Sequence, residues 1–147
     1  MKSTRKQYLV LGLGRFGDSL ARNLCKLGHE VLAVDKDTEL VEALAPYVTQ
    51  AVQADATEEA ALEALGIRNF DAAIVAIGNV RDSILVSVLC KEAGVPYVVA
   101  KAVDELHAKV LRKVGVDRVI YPERDMGLRV AKSLVCLLYT SPSPRDA

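Results

Sequence analysis

Gly12, Gly14 and Gly17 fall in a Gly-x-Gly-x-x-Gly spacing, and an acid, Asp35, follows about 20 residues on. In such an arrangement the first glycine permits a tight turn and the second lets a pyrophosphate reach the backbone. The third lets a helix pack close to a strand, and the carboxylate takes the ribose hydroxyls. Unclaimed N–H groups at the helix start, aided by its dipole, attract the anion. The chemistry on offer is capture of a nucleotide.

Glycines alone do not make such a site, because they also collect in ordinary turns. Here the required elements flank them. Tyr8–Leu11 is an apolar run of buried-strand type, and Phe16, Leu20, Leu24 and Leu27 follow at helical spacing. A second apolar run, Val31 to Val34, delivers Asp35 at its end. Phe16 and Lys36, next to the loop and the acid, are counted with the cofactor-binding residues. The alternation then continues: a helix over Thr38–Leu44, a strand over Gln50–Ala54, a helix over Glu58–Leu65 with Thr57 as its cap, and a strand over Ala72–Ile77. A helix over Val80–Glu92 follows, with an apolar face of Ile84, Leu85, Val88 and Leu89 wide enough for full burial or a subunit contact. Next come a strand over Tyr97–Ala100, a helix over Val103–Val114, a strand over Arg118–Tyr121, and a helix from Pro122 to about Leu134. Six successive βα units predict an α/β fold of Rossmann type, a doubly wound parallel six-stranded sheet with helices on both faces.

In open sheets of this kind ligands bind at the carboxyl edge. Asp55 is either a turn residue or, with Ala56, a border of the adenine. Ile77 and Gly78 end another strand; Gly78 is a plain turn or leaves room for a nucleotide. Lys101 is a solvated strand-end cation or a group that reaches the phosphates. Arg15 is a surface cation or an anion's partner; near a helix start the dipole disfavours a lone cation. His29 reads as a surface turn residue, and His107 as a surface or core-edge histidine.

Lys plus Arg and Asp plus Glu are both 19, so no bulk positive charge drives nucleic-acid binding. Cys25, Cys90 and Cys136 are widely spaced and match no metal pattern; they suit a reducing compartment. The basic start is followed by too short an apolar run for a signal peptide, and no apolar stretch approaches the ~18 residues of a membrane span.

Residues 1–134 read as one domain. From Cys136 the pattern breaks, with prolines and hydroxyl residues but no further strand, so 135–147 reads as a non-native adapter-derived tail or a linker. The natural protein is expected to continue into a C-terminal domain.

Several short stretches carry a specific resemblance: Gly-Leu-Gly-Arg-Phe-Gly at 12–17, Ala-Val-Asp at 33–35, Asp-Ala-Thr at 55–57 and Gly-Ile-Arg-Asn-Phe-Asp at 66–71. Ala-Ile-Gly at 76–78 and Asp-Arg-Val-Ile-Tyr-Pro-Glu-Arg-Asp-Met-Gly at 117–127 complete the set. Over residues 7 to about 134 the chain resembles the N-terminal nucleotide-binding half of the RCK (regulator of potassium conductance) family of KtrA/TrkA type. The resemblance implies a cytoplasmic regulator at the inner face of the plasma membrane, with a homodimer assembling to an octameric ring beneath a Ktr- or Trk-type potassium-transporting membrane subunit. It implies ATP/ADP as ligands, with NAD/NADH the alternative. Gly12, Gly14 and Gly17 would hold phosphates, Asp35 the ribose, and Asp55, Ala56, Ile77 and Gly78 the nucleoside. Arg15 would sense the terminal phosphate, Lys101 would add positive charge, and Glu123 would help hold a divalent cation, Mg2+ or Ca2+. The resemblance also implies a smaller C-terminal domain, expected beyond this chain, which binds cyclic di-AMP in many members.

An NAD-dependent oxidoreductase is the competing class, since a fold alone does not give a function. Such an enzyme needs a proton-transfer group, and neither histidine falls at a strand's carboxyl end. The expectation is a binding and gating module without catalysis. Asp35 would repel a 2′-phosphate but does not separate NAD from ATP.

Overall fold

The apolar run at the start of the chain forms β1 (Gln7–Leu11), covered on both faces: Leu9 and Leu11 turn into one core layer and Val10 into the other. This computed structural model describes residues 5–139. Along the chain follow α1 (Arg15–Lys26), β2 (Glu30–Asp35), α2 (Thr38–Leu44), β3 (Gln50–Gln53), α3 (Glu59–Ala64) and β4 (Ala72–Val75). Then come α4 (Val80–Glu92), β5 (Val98–Lys101), α5 (Glu105–Val114), β6 (Arg118–Ile120) and α6 (Pro122–Tyr139). The six strands are all parallel, in the order β3-β2-β1-β4-β5-β6. β1 is therefore central, and the chain reverses its direction of winding between β1 and β4.

Helices cover both faces, as the alternation predicts. Ala21 of α1 and Val41 and Leu44 of α2 pack on Val10, Val31, Ala33 and Ile74. On the opposite face Leu62 of α3, Val86 and Cys90 of α4, and Ala108 and Leu111 of α5 pack on Leu9, Leu11, Val75 and Val98. A parallel sheet requires this, because strands buried on both sides must be apolar at every position.

Four local expectations are corrected. Thr57 does not cap α3: Glu58 is the cap residue, and the Thr57 hydroxyl is turned back onto Asp55. The fully buried residues of α4 are Ser83, Val86, Ser87 and Cys90; of the apolar face read from the sequence, Ile84 and Leu89 pack half-buried against the same core, and Leu85 is exposed. His107 is not at the surface or the core edge; it is 1% exposed. The last helix does not stop near Leu134 but continues to Tyr139, because Val135–Tyr139 contains no glycine or proline to end it. No residue of α6 is buried, and Met126, Leu128, Leu134 and Leu138 face outward. Residues 140–147, on which much of the tail reading rests, lie outside the described part.

Cys90 lies in the core, and burial pushes its thiol up to about 12. Only the thiolate is a nucleophile. In the folded chain at pH 8, Cys90 is expected to resist a maleimide reagent and to react only after denaturant is added, as read by mass spectrometry of tryptic peptides. Labelling of Cys90 at the rate of exposed Cys136 would contradict this burial.

Candidate functional site

At the reversal point the ends of β1 and β4 diverge and leave a crevice outside their carboxyl ends, the usual ligand position in an open α/β sheet. The glycine turn forms one wall. Gly12 has φ +100°, donates its N–H to the Val34 carbonyl at 2.9 Å, and a Cβ on it would lie 2.6 Å from the Ala76 carbonyl oxygen. Gly17 lies beneath the turn, where a Cβ would come within 1.8 Å of the Gly12 carbonyl oxygen. Gly14 differs: nothing lies within 4 Å of where its Cβ would stand. It is also the cap residue of α1 and has no side chain with which to satisfy the first N–H groups of that helix. The turn is thus closed on its protein side and open on the cavity side.

The cavity has a volume of about 320 Å³. Gly12, Gly14, Asp35, Lys36 and Lys101 line it, and so do Asp55, Ala56, Ile77 and Gly78. Asp35 closes β2 and ties the turn to it: its two carboxylate oxygens accept the N–H groups of Leu13 and Asp37, each at 2.8 Å. A carboxylate oxygen accepts more than one donor, so the group still has capacity for hydroxyls. Asp55 is both a turn residue and a residue of the cavity wall. Its Oδ1 accepts the Thr57 hydroxyl at 2.6 Å and the Thr57 N–H at 3.0 Å, forming a turn, and the residue also borders the cavity. The Thr57 hydroxyl first and then the Thr57 N–H hold the Asp55 carboxyl below its usual range; burial opposes them, and the Lys36 charge adds a smaller pull in their direction.

Other predicted residues stand elsewhere. Arg15 and Phe16 line not the cavity but an adjoining open groove of about 1220 Å³, between the start of α1, the β5–α5 segment and the start of α6. Glu123 is exposed on that groove. Among the described residues no group of three or more His, Cys, Asp or Glu converges to hold a metal ion. Gly17 supports the turn from below. Lys101, the last residue of β5, borders both spaces. One groove wall is braced: the Tyr121 hydroxyl donates to Glu105 at 3.2 Å, and Arg124 pairs with Glu105 at 2.8 Å while its guanidinium lies 3.6 Å over the Tyr121 ring.

Sequence reasoning missed Leu13, Thr57 and Asp82, all on the cavity wall. Asp82 carried a signal, standing three residues after Asn79, whose side chain accepts the Asp82 N–H at 2.9 Å and caps α4. The two histidines stay out of the cavity. His29 accepts the Lys6 N–H at the amino edge of the sheet, edge-on to Tyr8.

The TrkA-N domain family matches residues 8–122. This chain belongs to that family. Over 130 residues the TrkA-N domain described here is 54% identical to "Ktr system potassium uptake protein A" of Bacillus subtilis, covering 88% of this chain and 59% of that protein. The Vibrio alginolyticus protein of the same name is 44% identical over 136 residues, 92% of this chain and 62% of its own length. The chain thus spans about three fifths of these curated relatives. Among solved structures, the AMP-bound C-terminal domain of Kef from Shewanella denitrificans superimposes with a TM-score of 0.78 at 23% identity, covering 92% of this chain and 83% of that one. At that identity the likeness supports the TrkA-N domain's fold alone. Among the described residues of this TrkA-N domain, no helix is long and apolar enough to cross a membrane.

Proposed function

We propose that this TrkA-N domain binds ATP and ADP in the crevice between β1 and β4 and, as part of a cytoplasmic Ktr-type regulatory subunit, gates a membrane potassium transporter through the difference between the two. One observation carries the reading: the Gly14 backbone and the start of α1, which no side chain caps, open onto a cavity that Asp35 also lines. In this reading the phosphates sit on the glycine turn, with Lys101 beside them. The ribose hydroxyls reach Asp35, and the nucleoside lies along Asp55, Ala56, Ile77 and Gly78. The curated relatives, named as potassium uptake proteins, support the regulatory part of it.

Arg15 is the sensing residue. It stands on the groove next to the cavity, where a phosphate extending past the turn would meet it. A guanidinium gains more from the longer, more highly charged ATP tail than from ADP. Only such a differential interaction shifts a conformational equilibrium. Glu123 would reach the phosphates only through a divalent cation, Mg2+ or Ca2+, completed by the nucleotide's own oxygens. A homodimer, assembled further into an octameric ring, would carry the change to the transporter. No catalysis is assigned, since neither histidine reaches the cavity and the relatives are transport proteins.

Calorimetric titration of the chain with ATP, ADP, NADH and NAD, with Mg2+ present, tests the reading. The expected result is one adenine-nucleotide site preferring ATP over ADP by about tenfold, a difference of roughly 1.4 kcal/mol. Arg15→Ala is expected to erase that preference while ADP affinity changes less than threefold. Strong NADH binding with weak ATP binding would instead make the domain a nicotinamide sensor.

A further inference from the structure

His107 is buried and carries no role in nucleotide capture, yet both of its ring nitrogens are used. Nδ1 accepts the Val103 N–H at 3.1 Å, and Nε2 lies 3.0 Å from the Ser83 hydroxyl. A nitrogen that accepts a backbone N–H carries no proton, so the imidazole is neutral with its hydrogen on Nε2, donating to Ser83. Asp104 caps α5 by accepting the His107 backbone N–H at 2.8 Å.

What the ring joins gives it meaning. Ser83 follows Asp82, which lines the nucleotide cavity from α4. Val103 belongs to the β5–α5 segment, where Ala102, Val103 and Asp104 line the groove and Lys101 borders both spaces. The imidazole is a strut between the cavity wall and the groove wall.

We propose that His107 is a positioning residue whose neutral ring couples the nucleotide cavity to the groove beside α6, and that acid breaks this coupling. The inference rests on the nucleotide reading above. Once protonated, the ring is a donor at both nitrogens, and Nδ1–H then faces the Val103 N–H, donor against donor. The segment must leave the ring, taking Ala102 and Lys101 with it.

The β5–α5 segment presents the Val103 N–H and the Asp104 carboxylate, and α4 presents the Ser83 hydroxyl. The neighbouring strand β6 has one ionisable side chain, Arg118, and it is exposed. Burial pushes the His107 pKa below its ordinary 6.5, and the Asp104 charge opposes that only in part. The unfolded chain therefore takes up the proton first. This contribution to stability is complete above pH 6.5 and is lost as pH falls from there through the lower folded-state value.

The test measures MgATP affinity of the full chain between pH 8 and pH 5.5, beside His107→Asn. The asparagine carbonyl takes the place of Nδ1 as acceptor and does not titrate. Comparing the two chains at each pH cancels the titration of ATP itself. Wild type is expected to lose about fivefold more affinity than the variant over this range, within the usual span of site-to-site coupling. The loss should follow the His107 titration seen in ring 15N shifts, together with loss of Val103 amide-exchange protection. Should His107→Asn not fold, as judged by circular dichroism at pH 8, Ser83→Ala replaces it. This variant cuts the strut on the α4 side and is expected to reduce the pH step by at least half. Binding at pH 8 with superimposable pH profiles overturns the coupling and leaves the nucleotide reading standing. No MgATP binding at pH 8 by any chain overturns the nucleotide reading, and the coupling with it.

Discussion

Gly17→Ala is expected to cost the domain about 3 kcal/mol and roughly 10 °C of melting temperature, at the upper end for overpacking a well-filled site. The added methyl would stand 1.8 Å from the Gly12 carbonyl oxygen, where only backbone is available to give way. Gly12 has no freedom to retreat, being held at φ +100° and bonded to Val34. The turn must lift off α1, and nucleotide binding goes with it. Gly14→Ala is the control in the same loop. Nothing in the fold meets its Cβ, so stability should stay within about 1 kcal/mol, the scale of a cap substitution. MgATP affinity should nevertheless drop about tenfold or more, because the methyl occupies the approach of the phosphates. Thermal melts and calorimetry on the two variants separate the glycine that serves packing from the one that serves the ligand. A Gly14→Ala chain that binds MgATP as tightly as wild type would remove the phosphates from this turn.

The second large effect is expected at Asp35. Its carboxylate accepts two backbone N–H groups and, in the proposed complex, the ribose hydroxyls. Hydrogen bonds to a charged group are worth about 1.5–3 kcal/mol each. Asp35→Ala should therefore weaken MgATP binding about 100-fold, through the lost ribose contacts and through a turn no longer tied to β2. Leaving the half-buried Leu13 N–H without its acceptor should cost about 1–3 kcal/mol of stability as well. Asp35→Asn keeps one acceptor oxygen and is expected to fall between the two in both measurements. Equal MgATP affinity in wild type and Asp35→Ala would place the ribose elsewhere.

Much of the architecture was legible beforehand because it is written in short-range patterns. Leu9, Val10 and Leu11 are apolar in succession, as a strand buried on both faces requires, and the glycine turn at Gly12 ends the run too early for a helix. The glycine spacing, the helix behind it and the acid about 20 residues on are likewise local facts. The misjudged elements depend on what lies opposite. The sequence of α4 offers Ile84, Leu85, Val88 and Leu89 as its apolar face, yet the fully buried positions include Ser83 and Ser87 beside Val86 and Cys90. Ile84 and Leu89 reach the core only half-buried, because what packs opposite and not hydrophobicity alone decides depth of burial. His107 looked like an edge residue because no helical period shows that Ser83 of α4, 24 residues away, will cover it. Thr57 had the chemistry of a cap, but Asp55 competes for its hydroxyl at 2.6 Å.

By itself the sequence determined the order of strands and helices, the winding of the turn at Gly12 and the presence of an acid at the end of the second strand, since each follows from dihedral preference, hydrophobic period or spacing along one chain. Only the tertiary structure decided that β4 pairs with β1, which brings Gly78 and Asp82 to the same cavity as Gly14. It alone set Arg15 and Glu123 on a neighbouring groove outside the cavity, and gave Lys101 to both spaces. These depend on pairings between segments tens of residues apart, set by how whole faces of the sheet are covered, and no local preference encodes them.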